Sequence, residues 1–267
     1  MFLQKSADGR KWGDLHPLAN IEMGDYQISW PNGKNLGTAF DFHPEPLGLN
    51  GRSNIYYLQT GDGGTTWKNI RETVELPLLA NPALVYDSVA EKKLVYLKDL
   101  NYDAEGRPVI LFLMSGGYAS GPKNDPRIWW TLRWTGERWE KREFTRSDSN
   151  YDHGSLTIEA DGTWRIIAPT EAGPQPYNPG GEMVLWTSVD QGASWKKERV
   201  LTEGSKLNHT YARRPLNAHP GFYALWADGN GRQPSRSRLY FTNQAGEKVW
   251  RLPERMERER AKPEVVP

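Results

Sequence analysis

The sequence predicts an all-β fold built from repeated units of four antiparallel strands. A turn motif of eight residues recurs along the chain, and the segments between its copies are short runs of β-branched and aromatic residues bounded by Gly, Pro, Asn and Asp. No long segment has the apolar period of an α-helix. Four-stranded units of this kind, arranged around an axis, are the blades of a β-propeller.

The recurring turn has the pattern Ser/Thr-x-Asp-x-Gly-x-Ser/Thr-Trp. It is complete in TGDGGTTW (60–67) and SVDQGASW (188–195), shortened in SADGRKW (6–12), and weaker in WTGERW (134–139) and TNQAGEKVW (242–250). Its period is about 54 residues with one longer interval, which is the size of a propeller blade. Because Asp can accept backbone N–H groups and Gly can adopt positive φ, we interpret the turn as scaffold.

The segments between the turns supply the strands, lettered A to D within each unit. In chain order, strands A to C are YQISW, LGTAFDF and SNIYYLQT, then KKLVYLKDL, VILFLM and RIWWTLRW, then YDHGSLTIE, TWRIIAP and MVLWTS, then NHTYARRP, FYALWAD and LYFTN. A short strand D follows the turn, as in WKNIR and WKKERV. The turn therefore always falls between strands C and D.

The units divide the chain into four complete blades and a partial one. Because a partial blade leaves a ring unclosed, we expect the chain to be the C-terminal part of a larger propeller of about seven blades. The charged tail is interpreted as a solvated appendage. The boundaries are a partial blade at 1–20, blades at about 21–75, 76–146, 147–203 and 204–253, and the tail at 254–267.

Composition excludes several classes of partner. Lys and Arg number 34 against 33 Asp and Glu, so no basic excess favours nucleic acid. There is no Cys, no apolar run long enough for a membrane span, and no apolar stretch of a signal peptide at the start. No P-loop or Gly-x-Ser-x-Gly elbow is present, and no His pair has metal-ligand spacing. We expect a monomer with no cofactor and no metal, although several propeller blades can together supply metal ligands.

The candidate site lies on the face opposite the Asp-containing turns. The loops there are longer (HPEPLGLNGR, SGGYASGPKNDP, TEAGPQPYNPGGE and GNGRQPSRS), and binding residues concentrate on long loops held by a rigid scaffold. The A strands open on the same face. Together they supply Tyr26, His43, Tyr151, Asp152, His153, Tyr177, Asn208, His209, Tyr211 and Arg232, with Arg213 and Arg214 farther along the last A strand.

Each of these residues also has a structural interpretation. A buried His is commonly a core residue, and a strand Tyr commonly packs between blades. Strand alternation sends Arg213 and Arg214 to opposite faces of their sheet, so one can reach a channel site while either can form a salt bridge between blades. Arg232 is a surface residue or an anion contact.

The repeated turns resemble the BNR or Asp-box repeat of sialidase-type propellers. The stretches YLKDLNYDAEGRPVILFL, SGPKNDPRIWWTLRWTG, YDHGSLTIEADGTWRIIAPTEAGPQPYNPGGEMVLWTS and NHTYARRPLNAHPGFYALWADGNGR resemble the BNR repeat-containing proteins of polysaccharide-degrading bacteria, over nearly all of residues 5–253. Relatives of this architecture include ulvan lyases and the rhamnosidases and lyases that act on rhamnose–glucuronate linkages. The Phe/Tyr-Arg-Ile-Pro segment of true sialidases is not present before the first turn.

The resemblance implies an extracellular or periplasmic carbohydrate-active enzyme, a lyase or a glycosidase, that acts on uronate- or rhamnose-containing polysaccharide. By that resemblance His153 or His209 is the base, Tyr151 or Tyr211 the acid, and Arg213 or Arg214 the cation that neutralises the substrate carboxylate. His43, Asn208, Tyr177 and Arg232 are further candidate substrate contacts. The alternative is a non-catalytic glycan-binding propeller, or an inactive fragment, in which aromatic residues stack on sugar rings.

Overall fold

A computed structural model describes residues 1–77 and 81–266 of the chain. Within these residues regular structure is almost entirely β, with three short 3₁₀ helices at Gly48–Gly51, Asn81–Ala83 and Pro122–Asn124. Nineteen of the strands fall in four antiparallel sheets that follow one another along the sequence, and two form a small N-terminal pair. Among the described residues no helix is long and apolar enough to cross a membrane.

The N-terminal pair, β1 (Phe2–Leu3) and β2 (His16–Pro17), lies against the first sheet. Leu18 and Ala19 are buried there with Phe40, Leu58 and Trp67. The first sheet comprises β3 (Gln27–Asn32), β4 (Asn35–Phe42), β5 (Ser53–Thr60), β6 (Trp67–Lys68), β7 (Thr73–Val74) and β8 (Leu84–Tyr86).

Strand β8 pairs with β5, so the first sheet extends beyond residue 75. The predicted start of the second unit, at residue 76, lies beside residues 78–80, which fall outside the described residues.

The second and third sheets each have four strands in simple up-and-down order. Strands β9 and β10 are buried along almost their whole length, because they lie between neighbouring sheets. The second sheet comprises β9 (Leu94–Tyr102), β10 (Pro108–Ser115), β11 (Arg127–Trp134) and β12 (Trp139–Ser147). The third comprises β13 (Ser155–Ile158), β14 (Trp164–Glu171), β15 (Glu182–Ser188) and β16 (Lys196–Val200).

The fourth sheet has five strands rather than four. It comprises β17 (Asn208–Arg213), β18 (Ala224–Gly229), β19 (Leu239–Thr242), β20 (Val249–Arg251) and β21 (Glu264–Val266). Strand β21 comes from the charged tail and pairs with β20. The end of the tail is therefore part of the sheet and not the solvated appendage that its charge predicts, because Glu264–Val266 satisfies the open edge of β20.

Aromatic and aliphatic side chains fill the spaces between successive sheets. Tyr57 of the first sheet packs with Phe112 of the second, and Leu111 of the second packs with Trp164 of the third. A third cluster joins the third and fourth sheets, where Trp226 is buried. The sheets thus stack face to face in chain order, as propeller blades do.

The repeated turns lie between the third and fourth strands of their sheets and have the same hydrogen bonds. The Asp62 carboxylate accepts the backbone N–H and the hydroxyl of Thr66, at 2.9 and 2.7 Å. The Asp190 carboxylate accepts the corresponding groups of Ser194, at 2.9 and 2.6 Å. In the shortened turn, Asp8 accepts the N–H groups of two following residues. The turns are therefore local scaffolds.

Candidate functional site

Two adjoining cavities open among the long loops. The first, which we call the His153 cavity, has a volume of about 290 Å³, and the second, the Arg232 cavity, of about 360 Å³. Tyr151 lines both, so the two adjoin, and we refer to them together as the cleft. The His153 cavity is lined by Tyr26, Gln27, Ile28, Arg52, Tyr96, Leu97, Tyr151, His153, Tyr211 and Arg213. The Arg232 cavity is lined by Tyr118, Ser120, Arg127, Ser149, Asn150, Tyr151, Tyr177, Pro179, Gly231 and Arg232.

Tyr151 and His153 lie on a turn that precedes β13. The strand was predicted to begin at Tyr151, but it begins at Ser155. The reason is Asp152, whose buried carboxylate accepts the N–H groups of Ser149 at 3.1 Å and Gly180 at 2.7 Å and so holds the chain out of the ladder. The turn exposes 43% of Tyr151 to solvent at the junction of the two cavities.

The His153 ring lines the cavity in a cationic environment. Its Nδ1 atom is buried and makes no hydrogen bond within the described residues. Burial lowers the pKa of His153 well below its usual value, and the charges of Lys98, Arg213 and Arg52 lower it further. The ring is therefore neutral at neutral pH and can accept a proton.

Tyr211 is held against His153 by an irregularity in β17. The register of β17 against β18 shifts between Thr210 and Arg213, and Tyr211 has φ +64°. The N–H of Ala212 donates to the His153 carbonyl at 3.1 Å. The centres of the Tyr211 and His153 rings are 4.7 Å apart. Bulges of this kind re-aim side chains. Here the result is a His–Tyr pair in one cavity.

Two guanidinium groups stand beside this pair. Arg213 lies 4.1 Å from the centre of the Tyr211 ring and donates to the Lys98 carbonyl at 3.0 Å. Arg52 is only 5% exposed, and its guanidinium lies among tyrosine rings, 4.5 Å from Tyr96 and 5.6 Å from Tyr151. Both groups keep N–H donors close to a cavity that can receive an anion.

The Arg232 cavity carries a second pair of cations. Arg232 donates to the Tyr177 carbonyl at 2.5 Å and also to the Ser120 hydroxyl. Arg127 is 1% exposed, with its guanidinium 5.7 Å from the centre of the Tyr177 ring. It donates to main-chain carbonyls and to Asp125. Tyr177 and Arg232, both candidates from the sequence, thus meet in one cavity.

His209 is a structural residue of the fourth sheet. It is 3% exposed, and both of its ring nitrogens are bonded. The Trp226 indole N–H donates to Nδ1 at 3.0 Å, so Nε2 carries the proton and donates to the Ser205 hydroxyl at 2.9 Å. Ser205 in turn donates to Glu182 at 2.8 Å. His209 does not line either cavity.

Three other candidates hold loops or sheets in place. Asn208 is fully buried and donates to several carbonyls of the loop 175–180, among them Gln175 and Gly180 at 3.0 Å. His43 is buried beside Asp41, with Nε2 3.2 Å from the carboxylate, and its ring packs on Tyr26. Neither of these two residues lines the His153 cavity or the Arg232 cavity.

Arg214 is the third of these residues, and it ties the fourth sheet to the second. Its Nε lies 3.1 Å from the Asp99 carboxylate, and its Nη2 donates to the Leu100 carbonyl at 2.6 Å. The guanidinium also stacks 3.4 Å from the centre of the Trp30 ring. Of the two adjacent arginines, Arg213 lines the cavity and Arg214 forms the salt bridge between sheets.

Neither cavity is lined by a carboxylate. Within residues 1–77 and 81–266, no group of three or more His, Cys, Asp or Glu side chains could hold a metal ion. The side chains that line the cleft offer imidazole, phenol and guanidinium groups.

Sequence reasoning missed the cationic residues beneath the cleft. Arg52 precedes strand β5 and Arg127 opens strand β11, so each follows the long loop of its unit, and this shared position was a usable signal. Lys98 interrupts the apolar run LVYL on a strand predicted to be buried, and a buried charge is unusual enough to indicate a special role.

Comparison with known proteins finds similarity to ulvan lyases and, in fold, to a sialidase. An ulvan lyase from Nonlabens ulvanivorans is 24% identical over 222 residues, which is 75% of this chain and 44% of the relative. The solved structure of an ulvan lyase from a new polysaccharide lyase family, bound to GlcA(1-4)Rha3S, is similar with a TM-score of 0.68 at 18% identity, over 91% of this chain and 59% of that one.

A third match is a Hadza microbial sialidase, with a TM-score of 0.53 at 12% identity, over 93% of this chain and 51% of that one. No family model matches the chain. The chain spans about half the length of the ulvan lyases it matches. At these identities the likeness establishes the fold, which is all-β, propeller-like and shared with polysaccharide lyases and sialidases.

Proposed function

We propose that this chain carries the catalytic cleft of a polysaccharide lyase that cleaves uronate-containing polysaccharide by β-elimination. The observation that carries the proposal is the grouping of His153, Tyr211 and Arg213 in one cavity that no carboxylate lines. Each of these side chains matches one requirement of the reaction.

β-Elimination removes the proton from the carbon next to the uronate carboxylate. The electrons of that C–H bond form a double bond, and the bond to the neighbouring glycosidic oxygen breaks. Neutral His153 takes the proton, and the Tyr211 hydroxyl gives a proton to the departing oxygen. Arg213, with Arg52 beside it, neutralises the carboxylate and so stabilises the negative charge that develops there.

A glycosidase of the usual kind needs two carboxyl groups that flank the scissile bond. The His153 cavity and the Arg232 cavity are lined by tyrosines, arginines and small polar groups instead. The lining therefore favours elimination over hydrolysis.

The relatives support the choice of substrate class. Two of them are ulvan lyases, one of which was solved with an oligosaccharide of glucuronic acid and sulfated rhamnose. We propose uronate- or rhamnose-containing polysaccharide as the substrate, and an extracellular or periplasmic site of action. Tyr177 and Arg232 are proposed to contact the sugar units next to the cleavage point.

The test is to incubate the full protein with uronate polysaccharides, including ulvan and gum arabic, and to follow the ultraviolet absorbance of the unsaturated uronate. We expect the wild-type protein to generate this absorbance. His153→Gln and Tyr211→Phe should each lower kcat by about a hundred-fold or more, as expected when a general base or acid is lost. Tyr86→Phe, which removes a hydroxyl far from the cleft, is the matched control and should leave kcat unchanged.

The alternatives give different results in the same experiment. Release of reducing sugar without the absorbance would mean hydrolysis and would refute elimination. Binding of the polysaccharide without cleavage would support the glycan-binding role instead.

A further inference from the structure

Lys98 is a charged residue that is buried behind the turn carrying His153. Its side chain is fully buried on β9, and its Nζ donates to the Asn150 carbonyl at 2.7 Å. The ammonium lies 5.7 Å from the centre of the Tyr96 ring and 5.6 Å from that of Trp129. A buried ammonium costs several kcal/mol unless it is compensated, so its presence calls for a function.

Lys98 is connected to both sides of the His153 cavity. Its ammonium holds Asn150, the residue before Tyr151, on the turn that carries His153. Its main-chain carbonyl accepts the hydrogen bond from Arg213 at 3.0 Å. A single residue therefore fixes the turn with the base and the guanidinium that faces it.

Asp152, which is also fully buried, is the carboxylate on the same turn that acts on Lys98. Burial lowers the pKa of Lys98, and the Asp152 carboxylate opposes that shift. Burial also raises the pKa of Asp152, which the Lys98 charge opposes. Each of the two groups thus opposes the effect of burial on the other.

We propose that Lys98 is a positioning residue of this site: its ammonium fixes the turn that carries His153 and places a positive charge beneath that turn. The proposal rests on the lyase function proposed above.

Other charged and titratable groups also act on His153. Arg213 and Tyr211 face it from β17, Arg52 from the loop before β5, and Tyr26 and Tyr96 line the same cavity. Tyr151 and Asp152 share its turn. The Lys98 charge lowers the pKa of His153 more than either arginine does, and only burial has a larger effect.

Removal of the Lys98 charge should therefore raise the pKa of His153. In Lys98→Met, a smaller fraction of His153 is neutral under acidic conditions, so the acid limb of the kcat/KM profile should move to higher pH. The rate should fall several-fold more at acidic than at alkaline pH. Loss of structure alone would lower the rate equally at all pH values.

The pKa of His153 can also be measured directly by NMR titration, with the resonance identified by its absence in His153→Gln. We expect the wild-type ring to titrate below an ordinary histidine, and the ring in Lys98→Met to titrate at higher pH. Lys141→Met is the matched control: this lysine also lies over aromatic rings of the second sheet, 4.5 Å from the centre of Trp130, but pairs with Glu91 away from the cleft.

An unchanged His153 titration in Lys98→Met would overturn the proposal, as would a wild-type ring that titrates at or above the ordinary value. If Lys98→Met does not fold, the same titration is made in Lys98→Met/Asp152→Asn, which removes both buried charges, and an unchanged His153 titration there would likewise overturn the proposal. Because the titration needs no substrate, a protein without lyase activity would refute the proposed function and leave this test intact.

Discussion

At the scale of the residue, the environment of a histidine decides what it can do. His153 lies just before β13, and His209 lies at the start of β17. Burial lowers the pKa of both residues. Yet His209 is bonded through both ring nitrogens, whereas Nδ1 of His153 has no partner within the described residues. A fully bonded ring is part of the core, and a ring that lines a cavity can take part in chemistry.

This contrast predicts opposite effects of two equivalent substitutions. His209→Ala should lower the free energy of unfolding by about 1–3 kcal/mol, because the buried Trp226 N–H loses its acceptor. Urea denaturation followed by fluorescence measures the change. The kcat of the molecules that remain folded should stay near that of the wild type.

His153→Ala is the comparison variant. It should lower kcat strongly and stability little. If His209→Ala abolished activity in a fully folded protein, the assignment of His209 to the core would be wrong.

The sequence could predict the neighbourhood of the site but not its members. Strand order and loop length predict that His153 lies on the long-loop face, with Tyr211 and one of Arg213 and Arg214 farther along a neighbouring strand. Whether Arg213 or Arg214 lines the cavity depends on the irregularity in β17. The segment NHTYARRP contains no Gly, Asp or other turn signal at that point that would predict the irregularity. Arg52 was missed because it reaches the cavity from a different sheet, and one sequence does not report such contacts.

At the scale of the element, the Asp-containing turn is a self-contained unit. The Asp190 carboxylate accepts hydrogen bonds from groups within the turn, and these hydrogen bonds hold its pKa below the ordinary value. The largest contribution comes from the Ser194 hydroxyl. Hydrogen bonds to the charged form stabilise the fold when the carboxylate is ionised. This stabilisation is present above about pH 4 and is lost as pH falls through the lower pKa of the folded state.

Asp190→Ala should therefore lower the Tm at neutral pH, and the difference from the wild type should shrink as the pH falls towards the pKa of Asp190. Thermal unfolding followed by circular dichroism across acidic pH measures both effects. Asp14→Ala, at an exposed aspartate outside these turns, is the control and should have little effect. A Tm difference that did not change with pH would mean that the carboxylate's charge is not what stabilises the turn.

Strands were predicted better than their ends. The β-branched and aromatic runs predict the first three strands of each of the four sheets, because the apolar pattern is a property of the run itself. The start of β13 was wrong, since Asp152 bonds to Gly180 in a loop that is distant in sequence. The strand at Glu264–Val266 was missed because its partner β20, and not its composition, determines it.

At the scale of the whole molecule, the sheets are joined by more than their apolar contacts. Arg214 of the fourth sheet reaches Asp99 and Leu100 of the second. This link crosses between sheets that are not neighbours in chain order. It ties the end of β17 to β9.

Arg214→Met should therefore cost about 3–5 kcal/mol of unfolding free energy, because it leaves the Asp99 carboxylate buried without its cation. Chemical denaturation measures the loss. The double variant Arg214→Met/Asp99→Asn removes both charges and should recover part of it. If the single and double variants were equally destabilised, the ion pair would not be the source of the effect.

The tail strand β21 covers the edge of β20, against which a second molecule of this protein could otherwise pair. An open sheet edge presents a row of free N–H and C=O groups that a second chain can extend by pairing. Here Glu264–Val266 occupies that edge of β20, and Nη2 of Arg251 lies 2.5 Å from Oε2 of Glu264 across the pair. The new outer edge is a strand of three residues that begins with a glutamate, and short, charged edge strands hinder the intermolecular pairing with which strand exchange and fibril growth begin.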